Sequence, residues 1–261
     1  MRLAACLAAA ALLVGCSVRP KPDAHVPPFA RVPYEPFSRR DAIAIALREW
    51  RAFGSPVNDE PPESRPESAG EETAERQPGL WQRVGEYWWL GQDADKREAA
   101  WTGKHGDDGI RFPPERDGDY AWSAAFISYV MRTAGARDGF PYSPSHSHYI
   151  NAARSAAARL RIRAERTDAY APVPGDLICM GRLSAKDMTY DDLPAGPFAG
   201  HCDLVVDATP RALVVVGGNV DDAVTVKHVP VGDDGRLVGT DGRVLDPRYP
   251  WFVVVRVLYD D

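Results

Sequence analysis

The chain has 261 residues, enough for one sizeable domain with extensions. Its net charge of −6 removes the electrostatic case for nucleic acid as a partner.

Arg2 precedes an apolar run, Leu3 to Val14, that is too short for a permanent transmembrane helix. The run ends in Leu13-Val14-Gly15-Cys16, which resembles the lipobox of bacterial lipoproteins, where the signal peptide is cut before a Cys that is then lipidated. The resemblance implies a signal peptide over 1–15, a lipid on Cys16 and the membrane as a partner through that anchor. Ser17 in place of Asp implies an outer-membrane lipoprotein facing the periplasm. Pro20, Pro22, Pro27, Pro28, Pro33 and Pro36 mark 16–37 as an extended tether.

Residues 38–261 read as a single domain. Ser38, with Asp41 three residues on, starts a helix whose apolar stripe runs from Ala42 to Trp50 and stops at Gly54. The segment 55–79 is rich in Pro, Glu and Ser, and the expectation is a disordered acidic insertion. Leu80 to Trp101 reads as helix, with Trp81, Tyr87, Trp88, Trp89 and Trp101 packed beneath the next helix rather than stacking on sugars. Gly103 to Gly118 is a polar loop. Tyr120 to Met131 is apolar nearly all round, the pattern of a helix in the middle of a domain. Asp117 or Asp119 is expected to cap it and Gly135 to end it. Ser123 falls in its first turn, where the helix dipole favours a developing anion. Pro141 to Ile150 reads as a loop, followed by a helix from about Tyr149 to Leu160.

After Ala171 the period changes to two. Residues 174–181, 200–208, 212–220, 223–231 and 251–258 read as strands. Helices followed by an antiparallel sheet make an α+β fold with the helices on one side of the sheet. No internal repeat stands out. With Cys6 in the signal segment and Cys16 assigned to lipid, Cys179 and Cys202 remain, as one disulfide or as two thiols.

Ser123 starts the central helix, His201 opens the second strand and Asn219 closes the third. A nucleophile at a helix N-terminus, a His as base and a polar group that orients it is the logic of acyl transfer. The stretches AWSAAFISYVMRTAG, PGDLI, GHCDLVV and VVVGGNV resemble the core of the papain-like cell-wall amidases and peptidases of the NlpC and CHAP types. That resemblance covers Asp119 to Val226 and implies a papain-like fold acting on peptidoglycan peptide. It also implies Ser123 as nucleophile, His201 as base then acid, and Asn219 as its orienter. The backbone near Trp122 and Ser123 would hold the oxyanion; His146, His148 and Tyr149 would line the cleft. Asp203 would contact His201 or a substrate amine. Asp41 to Leu258 as a whole resembles a bacterial family, domain of unknown function 2272, which brings no activity with it.

Those amidases carry Cys where this chain has Ser123, and a hydroxyl needs a stronger base than a thiol. Three readings are open: a serine-type hydrolase, a catalytically silent cleft that binds cell-wall peptide or an envelope partner, or chemistry by another residue such as Cys179. The pairs His146/His148 and His201/Asp203 lack a clear ligand spacing, so neither a metal nor a cofactor is expected. Asp176 is expected to be a structural hydrogen-bonding residue and His228 to face solvent.

Overall fold

A computed structural model describes residues 35–64, 72–92, 96–106 and 108–260. The apolar N-terminal run, Cys16 and the tether up to residue 34 lie outside the described residues. The Ser38 hydroxyl accepts the Asp41 N–H at 3.3 Å and starts α1, Arg39–Ala52. Helix α2 is Leu80–Leu90, α3 is Ser123–Thr133 and α4 is His146–Ser155. In α3 every residue from Ser123 to Met131 is buried, as its all-round apolar pattern requires. Glu49 of α1 is also fully buried, and it accepts from Arg83 Nη1 and the Tyr87 hydroxyl of α2, both at 2.7 Å. That pairing lets a carboxylate sit between two helices.

The strands are β1 Ile162–Arg166, β2 Leu177–Gly181, β3 Gly200–Ala208, β4 Ala212–Val220, β5 Ala223–Pro230 and β6 Trp251–Val257. They form a six-stranded sheet in the order β1-β6-β2-β3-β4-β5, antiparallel throughout. Alternation divides its side chains between two apolar clusters. Leu177, Cys179, Cys202, Leu204, Val216, Val253 and Val255 pack with the helices. Ile178, Met180, Val205, Val215, Trp251 and Val254 pack on the other face under Leu237 and Tyr249, from the segment between β5 and β6. The fold is therefore α+β, with α-helices on one face and that segment on the other. Cys179 and Cys202, directly paired across β2 and β3, form a disulfide. Glu35–Asp261 makes one compact unit by itself.

Several expectations are corrected. Helix α2 stops at Leu90, and Arg97–Ala100 is a separate 3-10 turn. Helix α3 starts at Ser123, three residues late, because Pro114–Tyr120 forms its own 3-10 helix. Asp117 does not cap α3; its carboxylate takes Arg76 Nη2 at 2.6 Å and Lys104 Nζ at 3.0 Å. Helix α4 begins at His146, three residues early. Strand β1 was not foreseen: it is an edge strand in which only Ile162 is buried. Of the expected disordered insertion, residues 55–64 and 72–79 are structured, and 65–71 lie outside the described residues. Pro56 and Asn58 exchange backbone hydrogen bonds with Val226 and so cover the β5 edge, while Glu75 and Arg76 are buried. A short internal repeat also exists. Gly232–Arg236 and Gly239–Arg243, seven residues apart, close matching turns in which Asp234 and Asp241 each accept a backbone N–H at 3.1 Å.

Candidate active site at two helix N-termini

Ser123 is the first residue of α3 and His146 the first of α4. Their side chains meet, with Ser123 Oγ 2.7 Å from His146 Nε2. The other ring nitrogen of His146, Nδ1, is hydrogen-bonded to the hydroxyl of Tyr149, one turn further along α4. His146, Tyr149, Ile150 and Ala153 are all buried, the i, i+3, i+4, i+7 face of a helix packed on the core. Strand β3 begins beside this pair: a Cβ on Gly200 would lie 3.6 Å from His146 Cβ.

His201 comes directly after Gly200, and its ring centroid lies 5.3 Å from that of His146. His201 Nε2 bonds Asp203 Oδ1 at 2.8 Å, two residues along β3 and so on the same strand face. Lys227 Nζ from β5 lies 2.6 Å from Asp203 Oδ2, a fully buried ion pair. The ammonium also sits over the rings of Tyr249 and Trp251, at 4.8 and 5.6 Å. Gly217 on β4 makes room for this group. A Cβ there would lie 1.9 Å from Asp203 Oδ1 and 3.1 Å from His201 Nε2.

His201, Asn219 and Lys227 line a cleft of about 490 Å³, with Met180, Arg182 and Tyr249 among its other walls. Asn219 reaches it because β4 bulges between Gly217 and Val220, with Asn219 at φ 56. Such bulges re-aim a side chain, and Asn tolerates the left-handed region better than most residues. Asp221 and Asp222, at φ 51 and 57, form the two-residue turn that suits a hairpin.

Burial sets the charge states. It pushes His146 well below the ordinary imidazole range, and neighbouring His201 adds to the shift. Burial also lowers His201, with Asp203 opposing. For Asp203 burial alone would raise the carboxyl, but Lys227 and His201 outweigh it and hold it well below the usual carboxylate range. The site at neutral pH thus holds two neutral imidazoles and one carboxylate–ammonium pair. Since a carboxylate only accepts, Asp203 fixes the His201 proton on Nε2 and leaves Nδ1 as its basic nitrogen.

The structure redistributes the expected roles. Ser123 bonds His146, not His201, because α4 starts one turn earlier than its polar Ser/His stretch suggested. His201 is oriented by Asp203, not Asn219, whose side chain makes no hydrogen bond among the described residues. Asp203 is fully buried behind His201 and so does not face a substrate amine. The Trp122 side chain does not contact the cleft: it is fully buried, stacks on Phe53 and donates its indole N–H to Glu75, which leaves only its backbone for the expected oxyanion role. Burial raises the Glu75 carboxyl to about 7, against the pull of Lys104. Tyr149 is buried under His146 rather than lining the cleft, while His148 is exposed. The disulfide removes Cys179 and Cys202 as nucleophiles. Asp176 accepts from Val257 N, Val173 N and the Tyr170 hydroxyl, which makes it a structural anchor. His228 is exposed and pairs with Asp59 at 2.8 Å. Among the described residues no group of three or more His, Cys, Asp or Glu side chains is arranged to hold a metal ion.

Lys227 was missed by sequence reasoning, since alternation in Val224-Thr225-Val226-Lys227 reads as a solvated face. The cover supplied by Tyr249 and Trp251 is what buries it.

Comparison with curated proteins and with solved structures found no match to this chain. Residues 75–257 match a family described as uncharacterized proteins conserved in bacteria, DUF2272. The match spans α2 to α4, all six strands and every residue of the site, so the chain belongs to the DUF2272 family.

Proposed function

We propose that the protein is a papain-like, serine-type amide hydrolase of the bacterial cell envelope, anchored to the outer membrane through a lipid on Cys16 and acting on peptidoglycan peptide. The observation that carries the reading is the His201–Asp203 hydrogen bond, which leaves Nδ1 of a cleft-lining imidazole as a base, its ring centroid 5.3 Å from that of the His146 bonded to Ser123 at the α3 N-terminus. In the proposed reaction Ser123 Oγ bonds to the carbonyl carbon while its proton passes to His201 Nδ1. Backbone N–H groups at the start of α3 receive the oxyanion. The tetrahedral intermediate collapses, the C–N bond breaks, and His201 returns the proton to the leaving amine. Water, deprotonated by His201, then releases the acyl group from Ser123. In apo enzymes such contacts are often loose, so a Ser123–His201 hydrogen bond is expected to form with substrate.

A second reading is a silent cleft that binds peptidoglycan peptide or an envelope partner. It is favoured by the low exposure of Ser123, 4%, and by its absence from the cleft wall. Digestion of purified peptidoglycan by residues 35–261, read by mass spectrometry of released muropeptides, separates the two. The hydrolase reading expects cleavage by wild type and none by Ser123→Ala. Silence of wild type with cleavage by Ser123→Cys supports the binding reading. Silence of all three removes the hydrolase proposal.

A further inference from the structure

We propose that Tyr149 holds His146 in the tautomer that donates a hydrogen bond to Ser123 Oγ, so that His146 positions the nucleophile and steadies its developing charge without acting as its base. The inference rests on the hydrolase reading above and assigns the second histidine within it. Tyr149 is fully buried, and His146 Nδ1 is the partner of its hydroxyl among the described residues. The phenol keeps its proton paired only by giving it to Nδ1. A neutral imidazole with an accepting Nδ1 carries its own proton on Nε2. That N–H therefore donates to Ser123 Oγ across 2.7 Å.

The opposite tautomer would turn Nδ1–H toward the Tyr149 oxygen and strand the phenol proton in the core. The favoured tautomer leaves the Ser123 proton without an acceptor in the resting site instead, but the phenol is much the stronger acid and is fully buried where Ser123 keeps 4% exposure, so Tyr149 is the better donor to the imidazole. The hydrogen bonds then run in one direction, from Tyr149 to His146 to Ser123, and the serine proton stays free for His201 Nδ1. As the Ser123 O–H bond breaks toward His201, charge building on Oγ meets the His146 N–H. Charge-assisted hydrogen bonds are roughly twice as strong as neutral ones, so this donor favours the ionised serine over the resting hydroxyl. No proton leaves His146. A thiolate has little need of such a donor; a serine, with its far higher pKa, gains from it.

The tautomer is read directly by side-chain nitrogen NMR of residues 35–261 carrying nitrogen-labelled histidine, with His146 assigned by the signal missing in His146→Gln. The expected pattern is a protonated Nε2 and an unprotonated Nδ1 that accepts a hydrogen bond. A protonated Nδ1 overturns the proposal whether or not the protein hydrolyses anything. The second readout is the rate at which a fluorophosphonate probe labels Ser123. His146→Gln keeps an N–H donor at similar reach and is expected to label within about tenfold of wild type. His201→Gln is expected to fall by about 100-fold or more, with loss of the pH dependence that His201 imposes. If His146→Gln removes labelling and its pH dependence while His201→Gln leaves both, His146 is the base and the proposal fails. If wild type itself does not label, the hydrolase reading fails, and the NMR pattern alone decides the direction of the Tyr149–His146–Ser123 bonds.

Discussion

Gly217→Ala is the sharpest test of how the sheet holds its buried polar group. The glycine is not at a positive φ, so alanine meets no backbone penalty and the effect is purely steric. Its Cβ would stand 1.9 Å from Asp203 Oδ1, and contacts under 3.0 Å do not persist. Something must retreat by at least 1.1 Å (3.0 − 1.9). Asp203 cannot yield cheaply, because His201 holds one oxygen at 2.8 Å and Lys227 the other at 2.6 Å. Either β4 moves off β3, or Asp203 turns and leaves His201 without its orienter. Overpacking of this kind costs about 1–3 kcal/mol. For a domain of this size that is a fall of roughly 2–12 °C in Tm.

Gly218→Ala is the matched control. Its Cβ would press on Phe126 at 2.6 Å, so it should destabilise by a similar amount without touching the polar group. Both variants are compared by urea denaturation and by NMR titration of the His201 ring. The expectation is similar losses of stability, with an altered His201 titration in Gly217→Ala alone. A Gly217→Ala protein with unchanged stability and unchanged His201 titration would refute the argument, since Asp203 would then not be pinned against β4.

Lys227→Met should keep the shape of the side chain but leave Asp203 as a buried carboxylate without its main counter-charge; a loss of about 3–5 kcal/mol is expected, and the midpoint of acid unfolding should move to higher pH. The two lowered histidines bind protons more readily in the unfolded chain, so their contribution is full above about pH 6.5 and fades as pH falls below it. Glu75 acts in the opposite sense: raised to about 7, it stabilises fully below about 4.5 and loses that contribution as pH rises through 7. Glu75→Gln should therefore make stability rise more steeply between about pH 5 and 7, by up to ~1.4 kcal/mol per pH unit, and a flatter curve would contradict the assignment. Replacing Cys179 and Cys202 by Ser removes a link across 23 residues, expected to cost ~3 kcal/mol in denaturant unfolding, with no loss of Ser123 labelling once folded.

The fold class was legible in the sequence because its main elements bury whole faces. Strands β2 and β6 lie inside the sheet with cover on both sides, and they show as apolar runs such as Trp251 to Val255. Strand β1 was missed for the complementary reason: Leu160, Ile162 and Ala164 do alternate with Arg161, Arg163 and Glu165, but the run is short, its last apolar residue is a small alanine, and only Ile162 of the strand's five residues is buried. The segment 55–64 failed similarly. It has almost nothing to bury, and it is held by backbone hydrogen bonds to Val226, which composition does not report.

The site divides along the same line. His201 and Asp203 are two apart on one strand, so their contact is a consequence of period two, and the choice of orienter between Asp203 and Asn219 turned on burial that only the fold supplies. His146 carried a signal that composition hid. Taken as a polar loop, Ser145-His146-Ser147-His148 suggests a cleft rim. Taken together with Tyr149, Ile150 and Ala153, His146 falls at helical spacing, which puts it on the core face one turn before the expected start. That single shift of a helix start changes the chemistry: an imidazole at the rim would meet substrate, whereas an imidazole on the buried face of α4 meets Ser123 on one side and Tyr149 on the other. A polar residue on an apolar helical face must find partners within the core. The partners His146 finds are a serine at the positive end of a neighbouring helix and a phenol with no other acceptor among the described residues, and those two bonds dictate which way its proton points.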